Sequence, residues 1–163
     1  MTLAGYCCVN SGMITITTKT PWHSDAIEML EKSCAYIRDL YPSDHAHTFN
    51  LDGLATGKFF LVCQDEAAVG CGASVYHTPD TVELKHIFLD PAVRGRGLGK
   101  ILLRHLEQAA CQYGFRRIVL ETGTLQPAAY GLYRAFGYQN CQPFIVNPLA
   151  HAIFMEKFLP SII

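Results

Sequence analysis

The residues best suited to chemistry stand together at Arg94-Gly95-Arg96-Gly97-Leu98-Gly99-Lys100. Three glycines in this run leave backbone N–H groups uncovered by side chains, so an anion can approach them closely. An amphipathic helix is expected to open here, and its free amides and dipole add to the attraction for negative charge. Arg94, Arg96 and Lys100 supply the countercharge. An apolar run, Ile87-Phe88-Leu89-Asp90-Pro91, precedes the loop and reads as a strand. Strand, basic glycine loop and helix together form a cradle for a pyrophosphate.

The spacing decides which pyrophosphate. A Walker loop, G-x-x-x-x-G-K-[ST], fails because Arg94 stands where its first glycine belongs and Ile101 follows Lys100. The dinucleotide fingerprint G-x-G-x-x-G fails in both registers, its third glycine falling on Lys100 or on Leu102. An arginine–glycine tail for nucleic acid would repeat within low-complexity sequence, and this run occurs once between a strand and a helix. R-x-x-G-x-G does fit, from Arg94 through Gly97 to Gly99. That is the acyl-CoA signature of the GNAT superfamily of N-acetyltransferases, which the chain resembles.

The 163 residues are enough for one domain with one substantial core. Half are hydrophobic and 17% are charged, an ordinary globular balance. A net charge of −1 argues against nucleic acid as a main partner. Seven cysteines form no CxxC pair and cannot all pair within the chain, so reduced thiols in the cytoplasm are the simplest account. Residues 1–12 lack the basic start and long apolar core of a signal peptide and read as a short extension before a single domain over 13–163. No stretch approaches transmembrane length, and no membrane partner is expected. His45-x-His47 is a weak metal pattern in a polar loop, and no metal site is expected.

Around the cradle, Met13 to Thr17 reads as a first strand and Pro21 punctuates the chain after it. A helix is predicted from Ser24, its N-cap, to Leu40, with Ile27, Leu30, Cys34 and Ile37 at helical spacing. A polar loop follows. Strands are predicted over Lys58 to Cys63, Ala67 to Tyr76 and Thr81 to Leu89. The helix after the glycines carries Leu98, Ile101, Leu102, Leu106, Ala109, Ala110 and Tyr113 on one face and ends at Gly114. Arg117 to Thr122 reads as a buried central strand. A short helix spans Pro127 to Phe136, then strands lie near Tyr138 to Ile145 and Ala152 to Leu159. This order predicts an α+β fold, a mixed, mostly antiparallel sheet with helices on both faces.

The resemblance covers Met13 to Leu159 and is densest from Glu83 to Tyr138. The family's second motif, N-x-x-A-x-x-L-Y-x-x-x-G-[FY], appears here as Gln126, Ala129, Leu132, Tyr133, Gly137 and Tyr138, with Gln126 replacing the usual asparagine. The strings Glu83-Leu84-Lys85 and Leu120-Glu121-Thr122-Gly123 resemble those of one subgroup. The resemblance implies acetyl-CoA as cosubstrate, held by Arg94 to Lys100 and by Gln126. It also implies that the strand carrying Ile87, Phe88 and Leu89 splays from its neighbour, so that its backbone bonds the pantetheine arm and supplies an oxyanion donor.

Amide formation needs a neutral amine, yet an alkyl amine of pKa about 10 is almost wholly protonated at neutral pH. A general base is therefore useful, and Glu83, on the strand leading into the cradle, is the best candidate. A solvated carboxylate on an outer strand face is the plain alternative, since Val82, Leu84 and Phe88 are expected to share the opposite face. Tyr133 matches the family's tyrosine and is the acid candidate, although Ala129, Leu132, Tyr133 and Phe136 also make a stripe that any amphipathic helix would bury. Lys85 shares a face with Glu83 and can meet a substrate carboxylate or form a salt bridge. His86 is expected on the opposite face in a structural role. The reading is an acetyl-CoA-dependent N-acetyltransferase in which a small amine or amino-acid-like acceptor attacks directly in a ternary complex. A CoA-binding regulatory or sensor domain without transfer activity is the alternative, and a homodimer stays open.

Overall fold

Ile14 and Ile16, Phe60 and Val62, and Val82 and Leu84 face one apolar cluster, while Phe59 and Leu61 between them face another. That period of two makes strands, and two clusters on opposite sides make a sheet buried on both faces. The computed structural model describes residues 5–8, 12–43 and 48–161, with only the backbone for 5–8; the His45-x-His47 pattern lies outside the described residues. The strands are β1 Gly5–Cys8, β2 Met13–Lys19, β3 Lys58–Gln64, β4 Ala67–Thr78, β5 Thr81–Leu89, β6 Arg117–Gly123, β7 Gln139–Asn140 and β8 Ala152–Phe158. They form one sheet in the order β1-β2-β3-β4-β5-β6-β8-β7. Every neighbouring pair is antiparallel except β5 and β6, which run parallel. The mixed, mostly antiparallel sheet expected from the element order is the one observed.

Among the described residues four α-helices cover the faces: α1 Ser24–Leu40, α2 Leu51–Ala55, α3 Leu98–Gln112 and α4 Pro127–Ala135. Leu98, Leu102, Leu103, Leu106, Ala109 and Ala110 make the stripe that buries α3 with Tyr133 of α4 against Ile118, Leu120, Val82 and Leu84. On the other face Ala26, Met29 and Leu30 of α1 and Leu54 of α2 pack on Phe59, Leu61, Cys71, Ala73 and Phe88. Gly72 of β4 lets α3 lie close, since a Cβ there would stand 3.1 Å from Leu106 Cδ1.

Four local expectations change. His23, not Ser24, caps α1, its Nδ1 accepting from the Asp25 N–H at 3.2 Å. The polar loop after α1 contains α2, a single turn started by Asn50, whose Oδ1 accepts from the Gly53 N–H at 3.1 Å. Gly5–Cys8 pairs with β2, within the stretch read as an extension. The strand expected from Tyr138 to Ile145 is only Gln139–Asn140, because Pro143 lacks a ladder donor and Asn147 turns the chain at φ 54°. The irregular segment that results lies beside the site.

Candidate functional site

Parallel pairing of β5 with β6 runs from Thr81–Arg117 to Leu84–Leu120 and then stops. Two residues of β5, His86 and Ile87, oppose only Gly72 of β4, a bulge that kinks β5. His86 takes the left-handed backbone conformation at φ 49°, which histidine tolerates better than most residues, and its carbonyl accepts from the Cys71 thiol at 3.2 Å. Beyond the kink β5 leaves β6, and a cleft of about 450 Å³ opens between them.

Glu83, Lys85, His86, Ile87, Gln126 and Tyr133 all line that cleft. Glu83 is directly opposite Val75, which packs toward the α1 layer, while Tyr133 belongs to the α3–α4 cluster. The carboxylate and the phenol therefore reach one cavity from the two faces of the sheet. The Glu83 side chain is 14% exposed and its Oε1 lies 3.7 Å from Lys85 Nζ, so it is no solvated outer-face carboxylate. Tyr133 is 6% exposed and edge-on to Tyr138, with ring centroids 5.8 Å apart. Burial pushes its hydroxyl above the ordinary phenol range, so it keeps its proton. Burial and contact with the site thus hold together for this side chain.

The glycine loop lies past the far end of β5 and does not line the cleft. Gly97 begins α3 at φ 80° without a side-chain cap, and no acidic residue stands in the first turn. Gly95, at φ 79°, and Gly97 would each direct a Cβ into open space. Leu98 is buried and anchors the turn, while Arg96 and Lys100 are exposed. Gly99 has a different reason: its missing Cβ would lie 3.3 Å from Leu132 Cδ2, so it permits contact with α4. The Arg94 guanidinium is engaged within the protein, its Nε donating to the Leu89 carbonyl at 2.9 Å and its Cζ 4.3 Å from the Tyr36 ring centre.

The bulge corrects the expected faces of β5. Phe88 joins the α1 cluster rather than Val82 and Leu84, and Leu89 packs partly against the α3–α4 layer. His86 turns into the cleft, although alternation put it in a structural position. Sequence reasoning gave no place in the site to Tyr41, Thr122, His151 or the wall made by Ile145, Asn147 and Leu149. Tyr41 stacks on His151 with ring centres 3.9 Å apart and accepts from the Leu125 N–H at 2.9 Å. A Cβ on Gly123 would collide with the Tyr41 hydroxyl, which explains the glycine closing Leu120-Glu121-Thr122-Gly123.

Residues 22–138 match the model of the acetyltransferase (GNAT) family. The chain is 32% identical over 148 residues to an IAA acetyltransferase of Azospirillum brasilense, covering 88% of this chain and 97% of that one. A putative acyl-CoA N-acyltransferase from Klebsiella pneumoniae superposes with a TM-score of 0.73 at 32% identity, over 90% of this chain and 97% of its own. A GNAT-family acetyltransferase from Elizabethkingia anophelis, solved with acetyl-CoA bound, shares the fold with a TM-score of 0.67 at 18% identity, over 90% of this chain and 98% of its own.

Burial, and secondarily the Lys85 ammonium, lowers the His86 pKa from 6.5 to about 4, and burial also lowers that of His105. The unfolded chain therefore binds protons between pH 6.5 and about 4 that the folded chain refuses. Stability should be full above that window and fall as the pH drops through it. His86→Asn, which accepts positive φ and does not titrate, should lose less stability between about pH 7 and about pH 4.5 than the wild type. Urea midpoints measure this; an equal loss in both proteins would mean that the imidazole titrates as if in solvent.

Proposed function

Because the chain belongs to the acetyltransferase (GNAT) family and is therefore an acyltransferase, we propose that it transfers an acetyl group from acetyl-CoA to a primary amine, both substrates being bound together. The observation that carries this reading is the cleft between β5 and β6, which unites Glu83 and Tyr133 from opposite faces of the sheet. Acetyl-CoA supplies the acetyl group as a thioester. The uncapped amides at the start of α3, with Arg96 and Lys100 beside them, fit its pyrophosphate, and the open space above Gly95 and Gly97 gives access. The edge of β5 from Lys85 to Leu89 has no strand partner on the β6 side and fits the amides of the pantetheine arm. Gln126 lines the cleft at the start of α4 without a side-chain capping bond, leaving its amide available to the arm.

Within this reading Glu83 takes the proton that the amine must lose, directly or through water. Tyr133, held protonated by burial, offers a proton to the departing thiolate. The acceptor is a small amine or amino-acid-like molecule, with Lys85 placed to meet a carboxylate. Among the described residues no helix is long and apolar enough to cross a membrane. Free thiols at Cys34, Cys63, Cys71, Cys111 and Cys141 support a reducing, cytoplasmic setting. A screen of amine acceptors with acetyl-CoA, read by thiol release, tests the reading as a whole.

Gly97→Val should abolish measurable CoA binding in calorimetry, because a β-branched residue strains the φ 80° backbone and fills the ligand's approach. Unchanged affinity would remove the pyrophosphate from this loop. Glu83→Gln should slow transfer by about 10²–10⁴-fold at neutral pH, with partial recovery at high pH as free amine accumulates. A wild-type rate and pH profile would leave Glu83 with a structural role only. Tyr133→Phe should lower kcat several-fold without moving the melting temperature, since ring packing survives. A variant that melts early yet turns over normally would defeat the acid assignment.

A further inference from the structure

Three apolar side chains of the cleft wall have no place in the core. Ile37 of α1, with Ile145 and Leu149 of the segment between β7 and β8, lines the cleft. None of the three belongs to either apolar cluster of the described residues, and Ile145 and Leu149 are 42% and 38% exposed. A single exposed leucine needs no explanation, but apolar groups gathered on the wall of a cavity mark a surface that binds. The stacked rings of Tyr41 and His151 line the same cleft.

The side of the sheet decides which substrate meets this wall. Ala73 and Val75 pack toward α1, and they pair with Lys85 and Glu83. Glu83 and Lys85 therefore both point to the α1 side. The segment before β8 is anchored there too. Its Phe144 packs edge-on against Phe154, with ring centres 5.1 Å apart, and Phe154 alternates with Met155 of the opposite cluster. The apolar wall thus shares the side of the carboxylate and the ammonium, away from the α3–α4 layer of Tyr133.

The charges choose the head group. Glu83 Oε1 and Lys85 Nζ stand 3.7 Å apart. An α-amino acid carries the complementary pair, ammonium and carboxylate, on one carbon. A diamine would meet a second carboxylate in Glu121, which also lines the cleft, but it would leave Lys85 without an anion and bring a charge past the apolar wall.

We propose that the acceptor is a free α-amino acid with an apolar side chain, its amine at Glu83, its carboxylate at Lys85 and its side chain against Ile37, Ile145 and Leu149. This rests on the acetyl-transfer reading given above and names its substrate class. From the neutral amine, a C–N bond forms to the acetyl carbon and the C–S bond breaks. The nitrogen gives one proton to Glu83, the sulfur takes one from Tyr133, and solvent returns the proton from Glu83 to Tyr133. The products are the N-acetyl amino acid and CoA.

Thiol-release rates with four acceptors test this: leucine, asparagine as its near-isosteric polar counterpart, 3-methylbutylamine as leucine without its carboxylate, and 1,4-diaminobutane. Wild-type kcat/KM should be at least about tenfold higher for leucine than for any of the others. Lys85→Met should erase the advantage of leucine over 3-methylbutylamine. Leu149→Asn and Ile145→Asn should each raise the KM for leucine several-fold, leaving the KM for acetyl-CoA and the melting temperature in place because both positions are exposed. A wild type that uses asparagine, 3-methylbutylamine or the diamine as well as leucine would overturn the proposal. So would asparagine variants that raise the KM for acetyl-CoA instead. In each of those cases acetyl transfer itself stands, whereas a protein that releases no thiol with any amine overturns the acetyl-transfer reading along with this inference.

Discussion

Parallel strands stay together only while each backbone group finds its partner, and in this protein that condition fails after Leu84 and Leu120. The cause is local. The extra residue at the His86 bulge bends β5 toward β4, whose pairing resumes at Cys71–Phe88 and Gly70–Leu89. The opposite edge of β5 then faces a cavity instead of a strand. A polar backbone edge left without a strand partner between two central strands of a sheet invites an extended, amide-bearing ligand. The rest of the architecture holds the two strands apart and furnishes the gap.

Several contacts keep the separated ends from relaxing. Arg94 ties the end of β5 to α1 through the Leu89 carbonyl and the Tyr36 ring, and so fixes where the glycine loop begins. Gly99 lets the first turn of α3 rest on Leu132 of α4. On the other strand, Tyr41 at the end of α1 lies over Gly123 and holds the Leu125 amide. Arg94 and Tyr41 each tie the end of one wall to α1, and Gly99 lets α3 meet α4, so the cleft is framed by tertiary contacts rather than by the sheet alone. The Cys71 thiol bonds the carbonyl of the bulge residue and stabilises the kink. Burial raises the pKa of that thiol well above the ordinary range, which keeps it an inert packing group.

Much of this was legible in the chain. The boundaries of β5 and α1 followed from alternation and helical spacing, and the glycine loop announced the start of α3. Glu83 and Tyr133 were singled out by strand position and motif order, and both line one cavity. What could not be read was any feature created by a break in periodicity. The bulge has no signature beyond His86 itself, yet it moves Phe88 to the other face and turns His86 into the cleft. Tyr41 and His151 escaped for a related reason, since their stacking joins segments far apart in the chain. The segment after Tyr138 misled because its apolar residues resemble a strand, while Pro143 and the turn at Asn147 prevent one.

The central claim is that the edge of β5 freed by the bulge receives the acyl donor. Amide hydrogen exchange across residues 85–89, compared with and without saturating CoA, tests it most directly. If the account is right, CoA slows exchange in this segment together with the first turn of α3, because both then donate to the ligand. CoA binding that protects the start of α3 while leaving residues 85–89 exchanging as in the free protein would contradict it.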